Sequence, residues 1–375
     1  MATLLKDWYS ISFYDNFSLI LQEVLPTFDA PKFKALIFSD NWEQKALKER
    51  MRHTTQVLHQ FMPKDFALSS QYIITITNIL LTKGNADKKA GVQYLFLPDY
   101  IELYGMAHFD IAVQTMELVT TFVSCEFPIR PFIVKYPQQA MKQMQQWASH
   151  TNYKVRRLAS EGCRPRLPWA MALPTLKKDP SPILPILQQL KNDPTDFVRR
   201  SVANNLNDIA KDHPEQVLAI AEDWYGNNEL TNWVVKHACR TLLKQGNTRA
   251  MQLFGFSSIE KVTVSNFMVE TPFIKVGDYL SFSFNLQNNN STPTKLRIEY
   301  GLYYLKANGC LARKVFMLSE KTYLANNSYF LQKKQSFKMI STRKFYLGEH
   351  QVSLIINGIE LPDRLVFDLQ ASKKN

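Results

Sequence analysis

The sequence predicts a multidomain chain, α first and β second: an all-helical repeat solenoid over residues 1–250, then a β-sandwich over residues 259–375. Three observations carry this reading. Up to about Gly246, apolar residues recur at helical spacing. Within that region one segment recurs as NYKVRRLASEG from Asn152, TDFVRRSVANN from Thr195 and TNWVVKHACRT from Thr231. Beyond Gly246 the chain changes to short stretches that alternate apolar and polar residues and are rich in β-branched and aromatic side chains.

The elements follow in order. FDAPKFKALIF offers Asp29 as a helix cap with Pro31 in the first turn. Trp42 to Met62 carries Leu47, Met51, Val57, Leu58 and Phe61 at helical spacing, which predicts one helix. LLTKGNADKKAG, residues 80–91, has two glycines and four charges and is expected to be a loop. MAHFDIAVQTMELVTTFVSCEF is expected to form one long helix ending near Pro128 and Pro131. Aligned on Val155, Val198 and Val234, the three repeats have periods of 43 and 36, the mark of HEAT-like helix pairs. VTVSNFMV, YLSFSFNLQ, KLRIEYGLYYL, KVFMLS and HQVSLIIN then read as strands. Turn signals at Val276, Asn288, Asn308, Asn326 and Asn357 separate them. Six or seven such strands predict an immunoglobulin-like sandwich. Cys310 is its only cysteine, so no inter-sheet disulfide is expected.

The 375 residues include 45 Lys and Arg against 33 Asp and Glu, a net charge of +12. That surplus favours a polyanionic partner. Residues 259–375 hold +7 of it, so the β part is expected to help contact that partner, the alternative being that edge and loop charges guard the sheets against aggregation. A hydrophobic share of 45% excludes wholesale disorder. The N-terminus has no apolar core of a secretory signal, and no apolar run is long enough to span a bilayer, so no membrane partner is expected. The isolated cysteines contain no CxxC and suit a reducing cytosol. His237 and Cys239 lack further ligands at a metal-binding spacing, and no metal or cofactor is expected. Phosphate-loop, dinucleotide, zinc-protease and serine-hydrolase motifs are missing. An enzyme of this sequence works with carboxylates.

With the repeats aligned, side chains four apart fall into charged stripes. The stripes are Arg157 and Glu161; Arg200, Asn204 and Asp208; and Lys236, Arg240 and Lys244. Stacked helices would place them on one basic surface suited to nucleic acid. The alternative is a solvated helix face with Arg157–Glu161 as an ordinary i,i+4 pair. In EGCRPRLPW, prolines stiffen a loop that carries Arg164, Arg166 and Trp169. Guanidinium groups match phosphates and an indole stacks on bases, whereas a plain connector would put the Trp in the core. Glu126 sits among prolines in CEFPIRPF, where the alternative to a functional role is an i,i+4 pair with Arg130. A non-enzymatic HEAT-repeat scaffold for nucleic acid or protein remains open at this level.

At SEGCRPRLPW and VRRSVANNLNDIAKDHP the sequence resembles the AlkC family of DNA alkylation-repair glycosylases. CEFPIRPF, HACRTLLKQG and LPDYIELYG add further matches, and the likeness covers essentially the whole helical region. By its architecture the C-terminal part resembles the immunoglobulin-like module of larger members. Cys125 departs from the small or hydroxyl residue the family has beside Glu126. The resemblance implies a monomeric, cytoplasmic enzyme that acts on duplex DNA. It implies hydrolysis of the N-glycosidic bond of cationic N-alkylated bases, chiefly 3-methyladenine and 3-methylcytosine. It also implies Glu126, Glu161 and Asp208 as active-site carboxylates, with Trp169 beside the lesion.

Overall fold

The computed structural model describes residues 4–39, 41–83, 90–339 and 343–372. Residues 84–89, in the expected loop, lie outside the described residues. The chain forms two compact units. One holds residues up to His213 together with Trp224–Ala238; the other holds Pro214–Asp223 and everything from Cys239.

The first unit is helical. Asp29 caps its helix by accepting from Lys32 N at 2.9 Å, and Asp65 and Asn152 do the same for Leu68 N and Lys154 N. The predicted Trp42–Met62 helix starts later, at Leu47, after a separate turn at Trp42–Gln44. The long helix expected over residues 106–127 is corrected as well: it runs only over Phe109–Val119. Thr121 Oγ1 donates back to Leu118 O at 2.7 Å, and Thr120 Oγ1 accepts from Cys125 N at 3.4 Å. Hydroxyls that bond nearby backbone compete with helical hydrogen bonds, and here they win. The resulting turn buries Cys125 and presents Glu126 before the Ile129–Lys135 helix.

The repeats form the Tyr153–Gly162, Asp196–Ile209 and Glu229–Ala238 helices, which pack side by side in that order. Their buried faces are Val155, Leu158 and Ala159; Val198, Val202 and Leu206; and Val234, Val235 and Ala238. Ser160 and Ser201 share a hydroxyl hydrogen bond of 2.7 Å across the first two. Gly162 is required by close approach: a Cβ there would lie 2.6 Å from Ile129 Cγ2. The third helix ends before Cys239, and Arg240–Lys244 is a separate short helix.

The second unit is dominated by two sheets. The strands are β1 (Val262–Val269), β2 (Phe273–Lys275), β3 (Tyr279–Asn288), β4 (Thr294–Leu305), β5 (Leu311–Tyr323), β6 (Asn327–Ser336), β7 (Gly348–Ile356) and β8 (Ile359–Gln370). One sheet has the order β1-β3-β6 and the other β2-β8-β7-β4-β5. Their shared core takes Leu280, Phe282, Phe284 and Leu286 from β3 and Leu296, Ile298, Tyr300 and Leu302 from β4. This is the sandwich that the alternating pattern implied. Asn357 and Gly358 turn β7 into β8 with φ of +45° and +77°, as a tight hairpin demands.

Candidate active site

Three carboxylates from three separate segments converge. Glu161 lies in the last turn of the Tyr153–Gly162 helix, Asp208 in the last turn of Asp196–Ile209, and Glu126 in the turn after Val119. Arg164 joins the first two. Its Nη1 donates to Glu161 Oε1 at 2.7 Å, its Nε to Asp208 Oδ2 at 2.9 Å, and its Nη2 lies 2.9 Å from the same oxygen. Arg157 joins the first to the third: its Nη1 donates to Glu126 Oε2, and its Nη2 lies 3.4 Å from Glu161 Oε1. Ser124 Oγ donates to Glu126 Oε2 at 2.8 Å, and Lys211 Nζ donates to Asp208 Oδ1 at 2.9 Å. The Asp208 and Glu161 side chains are only 3% and 7% exposed, against 18% for Glu126. Charges buried this deeply need such partners, because desolvation is costly.

The i,i+4 pair with Arg130, the alternative to a functional Glu126, does not form. At this turn Arg130 N bonds Phe127 O at 3.2 Å, three residues back, rather than Glu126 O, and its side chain faces elsewhere. Its fully buried guanidinium donates to the carbonyls of Gly162 (2.9 Å), Arg164 (2.8 Å) and Met171 (2.7 Å). Burial pulls its pKa down to about 10. Arg130 thus pins both ends of the loop that carries Arg164, Arg166 and Trp169. Spacing could not show this, because a buried Arg on backbone carbonyls leaves no charge pattern. Burial also pushes the Cys163 thiol up to about 12, so it is no nucleophile at neutral pH.

Trp169 is not a core residue. Its side chain is on the surface, the residue is 69% exposed, and its φ is +65°. An L-residue in that region is strained by about 1–2 kcal/mol, and such strain clusters at functional sites. Lys48 Nζ donates to the Trp169 carbonyl, holding the loop from the Leu47–Phe61 helix.

The remaining cations are more scattered. Arg166 forms a two-point pair with Asp212 at 3.2 and 2.5 Å. Arg200 is exposed and pairs with Asp196 at 2.8 Å, four residues back. Lys236 is exposed on the Glu229–Ala238 helix in the first unit, while Arg240 and Lys244 fall in the second. The third stripe is therefore not one helix face, since Cys239 interrupts it. Arg157 and Arg164, expected to face the duplex, are turned onto carboxylates. Sequence reasoning missed Lys48, Ser124 and Lys211. Among the described residues no group of three or more His, Cys, Asp and Glu side chains could hold a metal ion. No helix there is long and apolar enough to cross a membrane.

Residues 111–242, which contain all three carboxylates, match a family model described as DNA alkylation repair enzyme. Residues 263–371 match one described as the C-terminal Ig-like domain of the uncharacterised protein YhaZ. The solved structure of Pseudomonas fluorescens alkylpurine DNA glycosylase AlkC, bound to DNA containing an abasic site analog, superposes with a TM-score of 0.91. It is 35% identical in sequence, and the match covers 98% of this chain and 100% of that one. The chain belongs to the AlkC family. The uncharacterized protein YhaZ of Bacillus subtilis is 38% identical over 365 residues, 97% of this chain and 99% of that protein. Both matches span nearly the whole of this chain, the helical and the immunoglobulin-like parts alike.

Proposed function

We propose that this chain is a DNA glycosylase that hydrolyses the N-glycosidic bond of cationic N-alkylated bases, 3-methyladenine and 3-methylcytosine foremost, in duplex DNA. Residues 1–250 supply the chemistry and residues 259–375 the immunoglobulin-like module. The observation that carries this reading is the convergence of Glu161 and Asp208, from successive repeats, on the single guanidinium of Arg164. A surface used only to bind phosphate gains nothing from buried carboxylates, which repel it.

The chemistry follows from the charges. Alkylation at N3 leaves the base cationic and a good leaving group, so no strong general acid is needed. The sugar develops oxocarbenium character as the bond breaks, and fixed negative charge near it lowers the barrier. Glu126, Glu161 and Asp208 supply that charge and orient the attacking water. Arg157, Arg164 and Lys211 hold the carboxylates in place. The exposed indole of Trp169 stacks against the lesion, and an aromatic face favours a cationic ring over a neutral one. Arg166, Arg200, Lys236, Arg240 and Lys244 contact the backbone, which gives affinity without sequence information.

The test is incubation of the purified protein with methylated genomic DNA, followed by chromatography of the released bases. Free 3-methyladenine is expected. DNA bound with no base released would make the chain a binding scaffold.

A further inference from the structure

Next to Glu126 the helical unit holds a cavity of about 1020 Å³. Its walls come from the Leu47–Phe61 and Phe96–Gly105 helices, the turn after Val119 and the Trp169 loop. Glu126 and Trp169 both line it, so it shares a wall with the proposed reaction site. The volume lies at the upper end of small-ligand pockets, about 300–1,000 Å³. Most lining residues are apolar, and Phe122 and Phe127 add aromatic surface.

The polar edge is one cluster that the glycosylase chemistry leaves unused. Arg52 Nη2 lies 2.9 Å from Asp99 Oδ1 and 3.3 Å from Glu102 Oε1, and Thr55 Oγ1 donates to Asp99 Oδ2 at 2.7 Å. Tyr9 lines the same cavity, and its buried hydroxyl has no hydrogen-bond partner among the described residues. Burial pushes the carboxyls of both Asp99 and Glu102 up.

These groups select a ligand by chemistry. The lining carries Lys45, Lys48 and Arg52 beside Glu49, Asp99, Glu102 and Glu126, so the pattern of donors and acceptors selects the ligand rather than net charge. An aminopurine edge presents an N–H donor beside a ring-nitrogen acceptor. Glu102 beside Arg52 presents the complement, an acceptor beside a donor. The guanidinium plane and the apolar walls suit a flat ring.

We propose that this cavity binds the free purine base released by the reaction, with its amino edge on Glu102 and Arg52. The inference rests on the glycosylase reading above, and the experiment separates the two. Binding of free 3-methyladenine, and of adenine as the unmethylated probe, to the full chain is measured by calorimetry. Single-turnover excision is measured on the same preparations. Saturable binding is expected for the parent, weakened about tenfold by Glu102→Leu through loss of a charged acceptor. Met51→Trp, which sets an indole into the cavity wall, should weaken it as well. Both variants should excise within about threefold of the parent. Added 3-methyladenine should slow multiple turnover by the parent more than by Met51→Trp. If Met51→Trp fails to fold, Glu102→Leu decides alone. An excising parent that binds no free base overturns the proposal, as does binding that neither variant changes. A parent that excises nothing overturns the glycosylase reading. Glu102-sensitive binding in such a protein would still support a purine site.

Discussion

Replacing Asp208 by Asn removes one charge while keeping shape. The side chain is 3% exposed and takes three contacts of 2.9 Å, two from Arg164 and one from Lys211. Arg164 keeps Glu161 at 2.7 Å, so its charge is not stranded. The stability cost is that of one weakened buried hydrogen-bond set, about 1–3 kcal/mol. At roughly 2–4 °C per kcal/mol, the protein should remain folded at assay temperature. The catalytic cost is larger: removing a stabilising group at the developing charge raises the barrier by about 2.7–4 kcal/mol, or about 100- to 1,000-fold in rate. Affinity for an abasic-analogue duplex should hold or rise, because a carboxylate that opposes phosphate is gone. Single-turnover excision of 3-methyladenine, duplex binding by anisotropy and thermal melting on one preparation separate these terms. A folded Asp208→Asn that excises within about threefold of the parent would refute the assignment. Glu161→Gln should behave alike.

Arg130→Lys keeps the charge but cannot span three carbonyls, so the melting temperature should fall by an amount equivalent to about 2–4 kcal/mol, and kcat should fall more than KM, as steady-state kinetics would reveal. Trp169→Gly should leave thermal stability nearly unchanged, because relief of about 1–2 kcal/mol of left-handed strain offsets the added flexibility of glycine. Excision by the same variant should drop at least about tenfold, since the lesion loses its stacking face. Arg200→Ala, Arg240→Ala and Lys244→Ala should each lower the slope of log K against log salt for duplex binding by about 0.9, irrespective of sequence. An unchanged slope in all three would mean that these side chains point away from DNA.

The repeats were legible because Val155, Val198 and Val234 mark one buried face in each helix. Side-chain hydroxyls and single-residue breaks hid the rest. Thr120 and Thr121 look neutral in a helical pattern, yet their backbone bonds end the helix at Val119. Cys239 splits a stripe that reads as continuous on paper. Three strands, β2, β6 and β8, were not among the five read from the sequence; in β6 only Tyr329 and Leu331 pack toward the core among polar neighbours. Among the described residues eight strands form where six or seven were expected. The three carboxylates were visible as motif residues. Their sharing of Arg157 and Arg164 was not, because the meeting of Glu161 and Asp208 on one guanidinium, 47 positions apart in sequence, depends on helix stacking.

The central claim is that buried carboxylates make this chain a glycosylase. Chromatography of bases released from methylated DNA by the parent, Glu161→Gln and Asp208→Asn tests it most directly. The expected result is free 3-methyladenine from the parent and at least about 100-fold slower release from each variant under single-turnover conditions. Release of no base by a folded, DNA-binding parent would contradict it.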